Sequence, residues 1–285
     1  MKRKNFTLVH FAMLLAVSVA VFSCKKDDVE GNSVSLTDYL PTSIAQDGEP
    51  MDSLQYNSDY RVTKLLYNTG DDTWNNYYSF RYDSKKNLTG FTLYYYNEID
   101  RLDTIVYKDG KILDIQVRAD GNQIFYDTTV FSVDGSNRIT LIGSKDTIRY
   151  SNYKELDYTS YSFSGENLDK YAYRYYYYRN ENDKNDFTYF INYEYGNKLN
   201  PFYYVFAKCP ALAMILHYND ELEMLPLGKN NITKFTHGYV SNGNTEQSVV
   251  TINNYYQAGS DFFNKQEITE AGNTRVYTYN LKKIK

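Results

Sequence analysis

The chain has 285 residues, with 31 Lys+Arg against 35 Asp+Glu and a formal net charge of −4. An acidic balance argues against a nucleic-acid partner, which needs basic patches, and the length allows a β core large enough to need no disulfide staples. The 33 Tyr and 15 Phe, beside one Trp and few alanines, favour strands over helices: a tyrosine ring can face a core while its hydroxyl stays near water.

In chain order, Lys2, Arg3 and Lys4 precede an apolar run from Phe6 to Val21, broken only by Thr7, His10 and Ser18. This is the layout of a secretory signal, and the run is short for a membrane-spanning helix. Val21-Phe22-Ser23-Cys24 resembles the bacterial lipobox, in which the cysteine is lipidated and becomes the new N-terminus. That resemblance implies a signal peptide over 1–23 and a membrane attachment through Cys24, held by more than one acyl chain. Lys25-Lys26-Asp27-Asp28 resembles the charged export signal of Bacteroidetes lipoproteins. It implies an outer-membrane, lipid-anchored protein displayed at the cell surface, with the periplasmic leaflet as the alternative.

Residues 24–58, with Pro41, Gly48 and Pro50, read as a tether and irregular lead-in, and 59–285 as a single all-β repeat domain. A degenerate unit recurs there: an aromatic or β-branched residue ends a strand, a polar turn follows, and an aliphatic residue opens the next strand. It is seen at Tyr82 to Leu88, Tyr107 to Ile112, Val133 to Ile139, Phe163 to Leu168 and Tyr195 to Leu199. Asp109-Gly110 and Asp134-Gly135 suit the positive φ angles of tight hairpins. Each hairpin alone cannot bury its apolar face, so neighbours must stack edge to edge. The expected fold is all-β, a long antiparallel β-meander of hairpin repeats forming a twisted or curled sheet of roughly twelve to fifteen strands. One short helical or loop insertion is expected near 203–225, stopped by Pro226 and covering part of the sheet.

The lipobox, the Tyr-x-x-x-Asn-Leu turns, Asn200-Pro201-Phe202 and Lys229-Asn-Asn-Ile-Thr-Lys234 are similar to a group of uncharacterised Bacteroidetes outer-membrane lipoproteins. Those have β-hairpin repeats reminiscent of the YD repeats of RHS proteins. The resemblance implies a fold and a location and brings no activity with it.

Chemistry is sparse. Past the signal only His217 and His237 remain as histidines, Cys209 reads as a buried thiol, and no phosphate loop, hydrolase elbow or zinc-protease signature occurs. No metal or cofactor and no catalytic residue is expected. Aromatics fall on both strand faces, so Trp74, Tyr77, Tyr95 and Tyr176 are candidates for an exposed surface that stacks a glycan or anchors a protein partner. Ser53, Thr104, Thr128 and Thr147 sit in triplets resembling Bacteroidetes O-glycosylation sites. The reading is a monomeric, non-enzymatic binding or scaffolding lipoprotein. The alternatives are a lipid or lipoprotein carrier with a curved apolar sheet, and a glycan-acting enzyme.

Overall fold

The computed structural model describes residues 39–68, 74–120, 123–207, 209–218, 227–256 and 258–284. Cys24 and the signal lie outside them. The described residues all belong to one compact unit, residues 35–285.

Seventeen strands follow one another along the chain: β1 (Tyr39–Gln46), β2 (Glu49–Tyr56), β3 (Val62–Tyr67), β4 (Asn76–Tyr82), β5 (Leu88–Tyr95), β6 (Glu98–Lys108), β7 (Lys111–Asp120), β8 (Gln123–Val133) and β9 (Ile139–Gly143). Then come β10 (Ile148–Arg149), β11 (Lys154–Ser164), β12 (Asn167–Asn180), β13 (Asp183–Leu199), β14 (Asn230–Ser241), β15 (Asn244–Tyr256), β16 (Phe263–Glu270) and β17 (Asn273–Lys283). Each strand of the meander pairs antiparallel with the next, β9 passes directly to β11, and β17 pairs back onto β1. Sixteen strands thus close a barrel, with the two-residue β10 held against β11.

The meander matches the sequence-based expectation; the open twisted or curled sheet does not. Tyr39 to Gln46 pairs with Lys283 to Tyr277, so the lead-in expected to be irregular supplies the closing stave. Its prolines are tolerated because both sit beside register shifts, Pro41 on β1 and Pro50 opposite Ala45, where a missing N–H costs little. Closure removes the two free edges that an open sheet of this length would expose.

Alternation sets the faces. Leu54, Leu65, Tyr78, Phe80, Leu88, Phe91, Ile105 and Ile112 are buried, and alternate residues such as Tyr77, Ser79, Thr104 and Leu113 are half-buried or exposed. The buried set points into the barrel. Four of the five repeat units are turns at one end of it, and their aliphatic residues Leu88, Ile112, Ile139 and Leu168 form an inward layer no more than 2% exposed. At that end tyrosines bury their rings and hand their hydroxyls to backbone carbonyls: Tyr82 donates to Val62 O at 2.7 Å and Tyr195 to Leu168 O at 2.7 Å. Burial raises both phenols above their ordinary range. The fifth unit, Tyr195 to Leu199, is no turn but an irregular stretch of β13. There a side chain at Gly196 would run into Asn231. Asp109 and Gly110 have positive φ as expected, whereas the turn after Val133 uses Asn137 rather than Gly135.

The expected insertion is two helices, α1 (Pro201–Ala207) and α2 (Pro210–Tyr218). Asn200 starts the first, its side chain accepting from the N–H of Phe202 at 3.0 Å. The helices do not lie over the sheet. Ala211 to His217 are all buried, Phe202 packs its ring edgewise on inward Tyr279 at 5.4 Å, and Cys209 is buried in the same core. A helix apolar on all sides must be enclosed, and the barrel interior encloses these. Burial also raises the Cys209 thiol.

The opposite end carries two-residue positive-φ turns at Asp47-Gly48, Asn242-Gly243 and Ala271-Gly272. Strand spacing near it is tight: a Cβ on Gly238 would meet Glu246 O and lie 2.8 Å from Gln247 Cα. Gly238→Ala is therefore expected to cost about 1–3 kcal/mol, read as a lower urea midpoint with unchanged slope. An unaltered midpoint would mean that β14 and β15 have slack the structure does not show.

Candidate functional site

Because the helices fill one half of the barrel, the other half is an open cup of about 1410 Å³. Its aromatic wall comes from the inward rows of β12, β13 and β14. Tyr171 faces Ile191, Tyr173 faces Tyr189, and Tyr189 in turn faces Tyr239 across the ladders. His217, at the last turn of α2, forms part of the floor, with ring centroids 5.3 Å from Tyr171 and 5.7 Å from Tyr161.

The polar lining is paired. His237 Nε2 lies 2.6 Å from Glu270 Oε1, and its Nδ1 lies 3.5 Å from the Tyr189 hydroxyl. Asp157 is raised by partial burial, against a hydrogen bond from Tyr173 that lowers it. Asp127 accepts from the Thr128 N–H at 2.7 Å. Acidic Asp127, Asp146, Asp157 and Glu270 are set against Lys111, Lys145 and Arg275, so the lining is close to charge balance.

The wall has an opening. β8 pairs with β9 only through Phe131, Ser132 and Val133, while Gln123 to Val130 pair on one side alone, with β7. Across the gap, β10 pairs only with β11. The cup is accordingly lined by outward-facing Thr128, Val130 and Leu141 as well as by inward-facing Asp127 and Thr129, which means that it opens sideways between β8 and β10, beyond the end of β9.

A second polar group lies within the wall. Arg101 and Asp103 on β6 and Asp114 and Gln116 on β7 all point inward and are buried. Arg101 Nε meets Asp103 Oδ2 at 2.8 Å, and the guanidinium sits over the Phe91 ring at 5.1 Å. Burial first, and then the neighbouring Asp103 carboxylate, push the Asp114 carboxyl up to about 8; Asp103 is also raised by burial. Asp114 thus holds a proton at neutral pH and shares it with Asp103. Strand alternation through Arg101, Asp103 and Ile105 is the sequence signal that places these groups on the core face.

The four aromatic candidates do not form one surface. Tyr77 faces outward, stacked on Tyr94 at 4.4 Å with Lys64 Nζ 3.4 Å above it. Tyr176 is nearly opposite on the ring, on β12. Tyr95 packs edgewise on Tyr96 beyond β5, and Trp74 is a half-buried residue of the turn before β4. Separate strands of a closed ring face different directions, which a flat sheet would not require. Thr104, Thr128 and Thr147 are exposed and Ser53 is half-buried. The aromatics that do converge are inward ones, and their convergence depends on closure. His217 and His237, unlike in sequence context, line the same cup. Among the described residues no group of three or more His, Cys, Asp or Glu side chains is placed to hold a metal ion.

The exterior is mostly polar. Direct cross-strand Glu194–Lys234 and same-strand Lys265–Glu267 pairs lie on outward rows at 2.6 and 2.8 Å. Leu102, Val106, Leu113, Ile115 and Val117 make an apolar patch on β6 and β7 that continues onto β8 through Ile124, Tyr126 and Val130. A lipid-embedded barrel instead wears a continuous apolar band about 25 Å tall.

No family model matches the chain, and no curated protein matches it. Among solved structures it is similar to a porin-like protein from Bacteroides vulgatus ATCC 8482, with 10% identity and a TM-score of 0.36, covering 85% of this chain and 98% of that one. It is also similar to a porin-like protein from Bacteroides uniformis ATCC 8492, with 10% identity and a TM-score of 0.32, covering 85% and 96%. A closed β-barrel is compatible with an outer-membrane location.

Proposed function

We propose that this chain is a non-enzymatic binding lipoprotein of the bacterial outer membrane, anchored by lipid on Cys24, and that the half-open barrel is its ligand cup. The observation that carries this reading is the plug: two buried helices fill the apolar half of the barrel and leave about 1410 Å³ lined by tyrosines, histidines and paired acids. Concave sites with aromatic walls and a few placed polar groups are what ligand pockets are made of. The polar lining supports a soluble ligand over a lipid cargo, because the apolar volume is already occupied. The charged outward rows support a body held outside the bilayer by its anchor rather than threaded through it.

Two measurements test this. Protease treatment of intact host cells is expected to remove the body from the surface, and Cys24→Ala is expected to release it from the membrane fraction. Protection until the outer membrane is broken would overturn surface display. For the cup, thermal unfolding of the purified full-length protein with sugars, amino acids, nucleosides and fatty acids is expected to reveal a stabilising compound. Saturation at a hundredfold over Kd gives about 2.7 kcal/mol. The shift should vanish in His237→Ala, and the absence of any stabilising compound would overturn the cup.

A further inference from the structure

Resting on the cup reading, the geometry points to a narrower conclusion about the ligand: we propose that it is a neutral carbohydrate chain, taken side-on through the opening between β8 and β10. Three observations converge on it.

The first is the aromatic wall. Tyr171, Tyr173 and Tyr189 occupy neighbouring inward positions on two paired strands, with Tyr171 and Tyr189 centroids 6.0 Å apart. A pyranose presents apolar C–H faces and polar edges, and a tyrosine matches both with its ring and hydroxyl. Polar partners for its hydroxyls stand at Asp127 and Thr129 on β8 and at Asp157 on β11, the strand next to β12.

The second is charge. Aromatic walls with carboxylates also suit an organic cation. Here Glu270 is engaged by His237, Asp157 by Tyr173, and Lys145 and Arg275 share the lining. The cup therefore lacks the unbalanced negative field that would select a cation, and a neutral polyhydroxylated ligand fits it better.

The third is shape. Pockets for single small molecules span about 300–1,000 Å³, and this one is larger at about 1410 Å³. A cup open only at its rim admits chain ends. A cup with a slot in its wall also admits the interior of a chain, whose two arms leave by the rim and the slot. The slot edge bears Ile124 and Tyr126, 61% and 74% exposed, on the unpaired margin of β8. These side chains can extend the contact along the outgoing arm.

The experiment uses the purified full-length protein against an array of neutral and charged polysaccharides and their disaccharides, with choline and a fatty acid as the other probes. The expected result is binding to at least one neutral polysaccharide, retained when both chain ends are blocked. Tyr173→Ala should weaken it about tenfold, and Thr129→Trp, which narrows the slot, should weaken the polysaccharide far more than the disaccharide. Near-ultraviolet circular dichroism and the unfolding midpoint of each variant separate loss of contact from loss of fold, and Tyr173→Phe should retain most of the affinity if stacking is the cause. Binding of choline or the fatty acid without any sugar would overturn the carbohydrate inference and leave the cup standing. Failure of every probe, with none of the broader compounds stabilising the protein either, would overturn both. Binding that is lost when chain ends are blocked would overturn side-on entry.

Discussion

Replacing Phe202 with alanine is expected to lower the free energy of unfolding by about 3–5 kcal/mol. Phe202 is fully buried at the second position of α1, where it joins the plug to Tyr279 on β17. Tyr279 in turn packs on Phe263 and donates to Gln266 Oε1 at 2.6 Å. Truncation leaves a void enclosed by wall and helix, and a closed barrel cannot collapse to fill it, so the cost should fall at the high end for a large-to-small change. The measurement is urea denaturation of both proteins followed by circular dichroism. Tyr77→Ala is the comparison: it removes a ring of similar size from the outer face, where water replaces the lost contact, and should cost no more than about 1 kcal/mol. Equal losses in the two variants would mean that the helices do not anchor the barrel.

Asp114→Asn is expected to stabilise the protein at alkaline pH and to change little in acid. The unfolded carboxyl ionises near pH 3.9, whereas in the folded wall it does so at about 8. Below the lower value both states are protonated and the group contributes nothing to the pH dependence. Between about pH 4 and 8 the unfolded state gives up its proton and the folded state keeps it, so wild-type stability falls as pH rises. Above about 8 both states are ionised and the decline ends. The limiting slope is about 1.4 kcal/mol per pH unit, and sharing of the proton with Asp103 and relaxation of the site reduce the total. The variant should gain about 2–4 kcal/mol on the wild type between pH 4.5 and 8. Asparagine keeps the donor that Asp103 accepts from and has no proton to lose. Parallel pH profiles for the two proteins would place the titration elsewhere.

The aromatic candidates show where linear reading ends. Tyr77 and Tyr176 looked equivalent as tyrosines on alternating strands, yet the ring sets them nearly opposite each other. Tyr171, Tyr173 and Tyr189 become one wall only when β12 and β13 are in register. His237 finds Glu270 across 33 residues and an intervening strand, a separation that no local motif encodes.

The local grammar of the barrel is written in the chain. Asp109-Gly110 and Asn242-Gly243 prescribe positive-φ turns, period-two alternation prescribes which side chains share a face, and the recurring aliphatic residue after each polar turn prescribes the inward layer at one end. All-β architecture and the helical interruption near 203–225 follow from these local terms. Closure and content depend on contacts between distant parts of the chain. Antiparallel pairing is chemically the same whether a long meander stays open or meets its own first strand, so the choice rests on accumulated twist and on the long-range register between Tyr39 and Lys283. Whether an apolar helix lies on a sheet or within it is likewise invisible to periodicity when the helix is apolar on every side. Barrel closure supplied the enclosure that burial of α1 and α2 requires, and the plug supplied the floor of the cup.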